Sequence, residues 1–171
     1  MAEAARDLGA RGLRGHGATV EAIAPGDPAQ VFGILTPSDP SRFYPRFLVI
    51  PAVVAVTDQT GEWDAVGQTR VLHLSDGSSV RETTTDVDRP AFFAYELTEF
   101  TRLFGGLVDH ARAEWRFAPA DGGTRISWSY TFVGRPGRGW VVAAIVRLVW
   151  AAYMRRVIIG LVDEARRAGA A

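Results

Sequence analysis

Arg70, Glu82 and Tyr95 are the side chains whose types suit chemistry on a carbonyl compound. A carboxylate or a phenol can steer a proton, and a guanidinium can stabilise an oxyanion as it develops. A plainer reading stands beside this one: Arg70 and Glu82 form an ion pair that satisfies itself inside the fold or orients a ligand passively. Other chemistries drop out. His16 falls at the start of a predicted strand, while His73 and His110 fall on predicted outer faces. No two of them share an inner face, so neither a metal site nor a histidine base is expected. The chain has no cysteine, which removes thiolate chemistry, disulfides and sulfur ligands. No serine sits in a nucleophile elbow, and Gly105-Gly106 reads as a loop, not a phosphate cradle. No cofactor is expected.

These side chains must be held by strands. The order begins with a strand over Arg14 to Ala24, then a short helix over Pro28–Leu35 with Asp27 as its cap and Pro28 at its first position. Ser38-Asp39-Pro40 starts a second short helix that ends near Pro45. Period-two patterning then predicts strands near Ala52–Thr57, Gly67–Leu74, Val80–Val87, Phe92–Thr98, His110–Ala118 and Thr124–Val133. Gly134-Arg135-Pro136-Gly137 breaks the pattern, and one helix from about Arg138 to Arg167, roughly 40 Å long, closes the chain. Helices on one face of a curved antiparallel sheet define an α+β fold.

A one-residue slip inverts every side chain of a strand, so register decides what faces inward. Pairing Phe117 with Ile126 sets Trp115 opposite Trp128, Ala113 opposite Tyr130 and Ala111 opposite Phe132, and sends His110, Arg112, Glu114 and Arg116 outward. Pairing Asp86 with Phe93 sets Thr84 opposite Tyr95 and Glu82 opposite Leu97. A three-residue loop at Asp76-Gly77 aligns Leu74 with Val80, Leu72 with Glu82 and Arg70 with Thr84. Arg70, Glu82 and Tyr95 therefore share the inner face. Ala111 and Ala113 are small there, leaving room that the helix fills or that stays open. Trp115, Trp128, Tyr130, Phe93 and Phe132, with Leu72 and with Tyr153 of the closing helix, are candidates for lining a cavity, or else ordinary core.

The chain of 171 residues fits one domain: residues 1–12 as a flexible arm and 13–171 as the folded unit. Its 47% hydrophobic content and net charge of zero exclude a disordered chain. All 19 basic residues are arginine, spread along the chain and matched in number by acids, so no nucleic-acid partner is expected. Met1 to Thr19 lacks the apolar core of a secretory signal. Trp140 to Val162 is largely apolar, but Arg147, Arg155 and Arg156 interrupt it, so no transmembrane segment is expected. A cytoplasmic protein is predicted. The first half of the closing helix is apolar on nearly all sides and must be covered on all of them. The sheet covers one side; the other packs on the two short helices, or on a homodimer partner or a lipid surface through Trp140, Val141, Leu148 or Trp150.

Several stretches resemble the polyketide cyclase/dehydrase-like branch of the START (Bet v 1-like, SRPBCC) superfamily. They are Ala24-Pro25 before a short helix, then TPSDPSRFYPRF, TGEWDAVGQTRVLHLSDG, RPAFFAYEL and AEWRFAPADGGTRISWSYTF, and a closing helix. Many relatives carry a tryptophan after the first helix where this chain has Phe43-Tyr44-Pro45. The resemblance implies a helix-grip fold. In it, a seven-stranded antiparallel sheet curves around a long C-terminal helix, two short helices follow strand 1, and a hydrophobic cavity lies between. It also implies a small hydrophobic ligand, such as a lipid, polyketide or isoprenoid. Two alternatives stay open: a cofactor-independent cyclase, aromatase or dehydrase acting in the same cavity through Arg70, Glu82 and Tyr95, and a protein-interaction module that uses the apolar helix.

Overall fold

A computed structural model of the chain describes residues 15–169; the arm expected at 1–12 and the strand start expected at Arg14 lie outside them. Seven antiparallel strands form one sheet: β1 (His16–Ala24), β2 (Val53–Thr57), β3 (Thr69–Leu74), β4 (Ser79–Asp88), β5 (Phe92–Thr98), β6 (Val108–Ala120) and β7 (Gly123–Gly134). Their order is β1-β7-β6-β5-β4-β3-β2, a meander whose first strand returns to pair with the last. Helix α1 (Pro28–Leu35) and a 3-10 turn (Pro40–Arg42) follow β1, and a further short helix, α2 (Arg102–Leu107), joins β5 to β6. The closing helix has three parts: α3 (Gly139–Ile145), a π-helical turn (Val146–Trp150) and α4 (Ala151–Ala168). This is the α+β helix-grip architecture, with α4 packed on β1 and α1.

Local chemistry explains the elements. The Asp27 carboxylate accepts from the Gln30 amide at 2.9 Å, and Pro28 stands at the first helical position. At the other end of α1 the Thr36 hydroxyl donates to the Phe32 carbonyl at 2.8 Å, with Pro37 next. Asp39 caps the second start in the same way, through the Ser41 amide at 2.9 Å. The helix expected to reach Pro45 is only the turn Pro40–Arg42. Tyr44 precedes a proline and is pushed out of the helical region, and its carbonyl instead accepts from the Val53 amide at 2.9 Å. The Gly105-Gly106 loop is also corrected, since both glycines lie within α2. A Cβ on Gly105 would collide with the Phe100 carbonyl, so the close approach of this helix to the preceding chain requires glycine there.

Registers fall as expected for β6 with β7, including Phe117 with Ile126 and Trp115 with Trp128. Two alignments differ. In the β3–β4 hairpin, Arg70 stands opposite Glu82 and Leu72 opposite Val80. Here the three-residue loop Ser75-Asp76-Gly77 is closed by the Leu74 amide on the Ser78 carbonyl at 2.8 Å, whereas Leu74 opposite Val80 would need five loop residues. Gly77 takes φ 78°, and the Asp76 carboxylate holds the Ser78 amide and hydroxyl at 2.9 and 2.6 Å. The slip is two residues, so every side chain keeps its face. In the β4–β5 pair, Thr84 stands opposite Tyr95, but Asp86 stands opposite Ala94 instead of Phe93. The bulge at Thr85 presents Thr85 and Asp86 to Arg112, whose guanidinium donates to them at 2.9 and 2.8 Å on the outer face.

A candidate ligand chamber with a buried ion pair

Strands β3 and β4 each place one charged residue on the inner face, Arg70 beside Leu72 and Glu82 between Val80 and Thr84. Arg70 and Glu82 are directly opposed across the ladder, and the Arg70 Nε–H donates to Glu82 Oε2 at 2.6 Å, with both side chains about 95% buried. A pair this dry needs further partners. One is Trp63 in the β2–β3 loop, completely buried, whose ring lies 4.0 Å from the Arg70 guanidinium carbon. Arg70 Nη1 remains buried with no hydrogen-bond partner among the described residues.

Hollows lie on both sides of this pair. The larger holds about 550 Å³ between its walls, mouth included, and is bounded by Leu72, Glu82, Tyr95, Tyr130, Trp150 and Tyr153, with Tyr44 and aliphatic side chains from β2–β4. The second, about 400 Å³ on the same measure, lies under α1 and is lined by Arg70, Trp63, Phe93, Tyr95, Trp115 and Phe117, again with Tyr44. Tyr44 and Tyr95 thus form the wall between them. A third hollow, beneath α2, has walls from Phe132, Val142 and Val146 and shares Phe104 and Trp150 with the large chamber. The three run in series under the sheet, joined through the side chains they share.

All four tyrosines of the chain line the large chamber. Burial pushes the phenols of Tyr44, Tyr95 and Tyr130 well above the usual range, and the charge of Glu82 adds to it for each. Burial alone raises Tyr153. The phenols therefore stay protonated as hydrogen-bond donors. The indole N–H groups of Trp63, Trp128 and Trp150 are buried without partners among the described residues. Donors dominate an otherwise apolar interior.

Most candidate residues from the sequence come together here. Arg70, Phe93, Tyr95 and Trp115 bound the hollow under α1; Leu72, Glu82, Tyr95, Tyr130 and Tyr153 bound the large chamber; Phe132 bounds the third. Ala113 and Trp128 line none of the three. Ala113 is enclosed between its ladder neighbours Tyr95 and Tyr130, and Trp128 is stacked on Trp115 with ring centroids 4.6 Å apart. Tyr44, Trp63 and Phe104 were absent from the sequence-based set, and Trp150, expected on the outward side of the helix, is buried against Tyr130 and Phe132. Tyr44 and Trp63 lie in irregular chain, where no periodicity reports a face, and a large aromatic among turn residues was the only available sign. Among the described residues no cluster of three or more His, Cys, Asp or Glu residues could hold a metal, and no helix is long and apolar enough to cross a membrane.

A curved seven-stranded sheet closed by a long C-terminal helix over an apolar interior defines the Bet v 1-like class. The chain belongs to the polyketide cyclase/dehydrase and lipid transport family, whose model matches residues 16–166. Among solved structures it is similar to StfQ, a di-domain ARO/CYC from the steffimycin biosynthetic pathway. The TM-score is 0.65 at 16% identity, over 91% of this chain and 52% of that one. It is also similar to Ara h 8.0201, with a TM-score of 0.58 at 17% identity over 86% of this chain and 98% of that one. A protein from Arthrobacter aurescens gives 0.60 at 19% identity over 88% and 86%. At these identities the likeness is one of fold. No curated protein sequence matches the chain.

Proposed function

We propose that this chain binds a small apolar molecule bearing oxygen acceptors, of the lipid, polyketide or isoprenoid kind, in the chamber between sheet and closing helix. One observation carries the reading: every tyrosine in the chain lines one apolar chamber beside the buried Glu82 carboxylate, which Arg70 pairs from the neighbouring hollow. Hydrocarbon walls give affinity through area removed from water, while a few donors fix orientation through ketone, hydroxyl or carboxylate oxygens. Arg70, Leu72, Glu82, Phe93, Tyr95, Trp115, Tyr130 and Tyr153 are the binding residues of this proposal, joined by Tyr44, Trp63 and Trp150. Family membership supports the same ligand class.

A second reading uses the same groups. A cofactor-independent cyclase or dehydrase would let Glu82 take a proton from carbon beside a bound carbonyl, while a phenol or Arg70 donates to the oxygen that gains charge. The closeness of Glu82 to three phenols favours it. Against it, the carboxylate is engaged by Arg70 at 2.6 Å, which suits holding a ligand better than accepting a proton.

Anthraquinone and anthracene share a shape and differ in their carbonyl oxygens. Titrated into the full chain and followed by tryptophan quenching, anthraquinone is expected to bind more tightly, by about tenfold per satisfied buried donor. Tyr95→Phe and Tyr130→Phe are expected to narrow that gap. Equal binding of the two, or none, contradicts the reading. Turnover of a polyketone abolished by Glu82→Gln with binding intact would replace the first reading with the second.

A further inference from the structure

The net charge of zero conceals a segregated stretch. Between Asp121 and Asp163 there is no acidic residue, while Arg125, Arg135, Arg138, Arg147, Arg155 and Arg156 fall inside the interval. The last five of these are exposed on the closing helix or the turn leading into it, and none has a carboxylate within 4.0 Å among the described residues. Large apolar side chains are exposed among them. Trp140 is 75% exposed, Leu148 74% and Ile159 62%; Leu103 of α2, which packs against α3, is 72% exposed. Exposed positions recur along the helix at 140, 144, 147, 148, 155, 156 and 159, so cations and apolar groups share one face.

We propose that this face of the closing helix, with α2 beside it, docks on an anionic lipid bilayer. Trp140, Leu148 and Leu103 enter the interface and Arg138, Arg147 and Arg155 contact headgroup phosphates. An amphipathic face that combines arginine with tryptophan and leucine fits a membrane surface on both counts. A second copy of this chain fits poorly, because a two-fold contact would set these unpaired arginines against their own counterparts. The composition balances these cations only over the whole chain, not on this face. The same two elements carry Phe104 and Trp150, the wall between the hollow under α2 and the phenol chamber, so docking brings that wall to the lipid. The docking does not depend on what the chamber binds.

The test is co-sedimentation of the full chain with phosphatidylcholine vesicles and with vesicles of phosphatidylcholine and phosphatidylglycerol. Binding is expected to the second kind only, and to weaken in high salt. Each arginine near an anionic surface strengthens binding roughly fivefold, so Arg147→Glu with Arg155→Glu is expected to lower partitioning by well over tenfold. Trp140→Ser with Leu148→Ser should lower it as well. All four positions are exposed, and unchanged thermal unfolding of each variant shows that the fold is kept. The proposal is overturned if the native chain stays in solution with anionic vesicles, binds neutral ones equally, or loses nothing in either double variant. It is also overturned if the face proves to be a dimer contact that the Trp140→Ser, Leu148→Ser variant dissolves. Vesicle binding is read without any chamber ligand, so its failure leaves the ligand reading untouched, and the reverse holds.

Discussion

Arg70 and Glu82 are the charged residues on a sheet face that otherwise carries aliphatic and aromatic groups and Thr84, and each is the principal partner of the other's charge. Glu82→Gln leaves the Arg70 charge buried without a counter-ion, at an expected loss of about 3–5 kcal/mol, read from urea unfolding. Arg70→Met combined with Glu82→Leu is expected to lose less than that single substitution, because neither charge is stranded. A loss below about 1 kcal/mol for Glu82→Gln would mean that water solvates the pair. The four phenols provide a second check. Their folded values lie above the unfolded value of about 10, so the folded chain holds their protons after the unfolded chain has released them. The sign follows from linkage: stability is unaffected below about pH 10 and falls as pH rises beyond it. Phenolate absorbance is therefore expected to appear together with unfolding, in one step. Normal titration of two or more phenols with the fold intact would contradict the burial of the chamber.

At the scale of elements, legibility tracked the range of the signal. Helix α1 was readable to the residue because Asp27, Pro28 and Pro37 act within one turn of it. The inner and outer faces of β6 and β7 were readable because apolar and polar residues alternate from Ala111 to Phe117 and from Arg125 to Phe132. Helix α2 was not readable: it has no capping side-chain bond, its two glycines are poor helix formers, and contact with neighbouring chain holds it. The Thr85 bulge was hidden for a similar reason, since Arg112 on another strand receives what it presents. Two substitutions test the local devices. Asp27→Ala should cost about 1 kcal/mol through the lost cap. Gly77→Ala should cost about 1–2 kcal/mol, because φ 78° disfavours a Cβ. Each is expected to move the urea midpoint with the slope unchanged; a changed slope would mean the effect lies in the unfolded chain.

Across the whole molecule, the helix-grip order was present in the succession of periods, and the inner position of the ion pair followed from face consistency alone. The chamber walls were less accessible to such reasoning. Tyr44 and Trp63 reach the interior from irregular segments, and Phe104 and Trp150 from a short helix and a π-helical turn, all brought there by the closing of the sheet on its helix. Ala113, the natural choice for filling a cavity by sequence, is enclosed by its own strand neighbours, whereas Leu72 borders the large chamber. The most direct measurement is therefore a titration of the full chain with an environment-sensitive fluorescent fatty acid, beside a folded Leu72→Trp variant. Saturable one-to-one binding by the native chain, lost in the filled variant, is the predicted result. A native chain that takes up no apolar probe, or a filled variant that binds as well as the native one, would contradict a ligand chamber between the sheet and the closing helix.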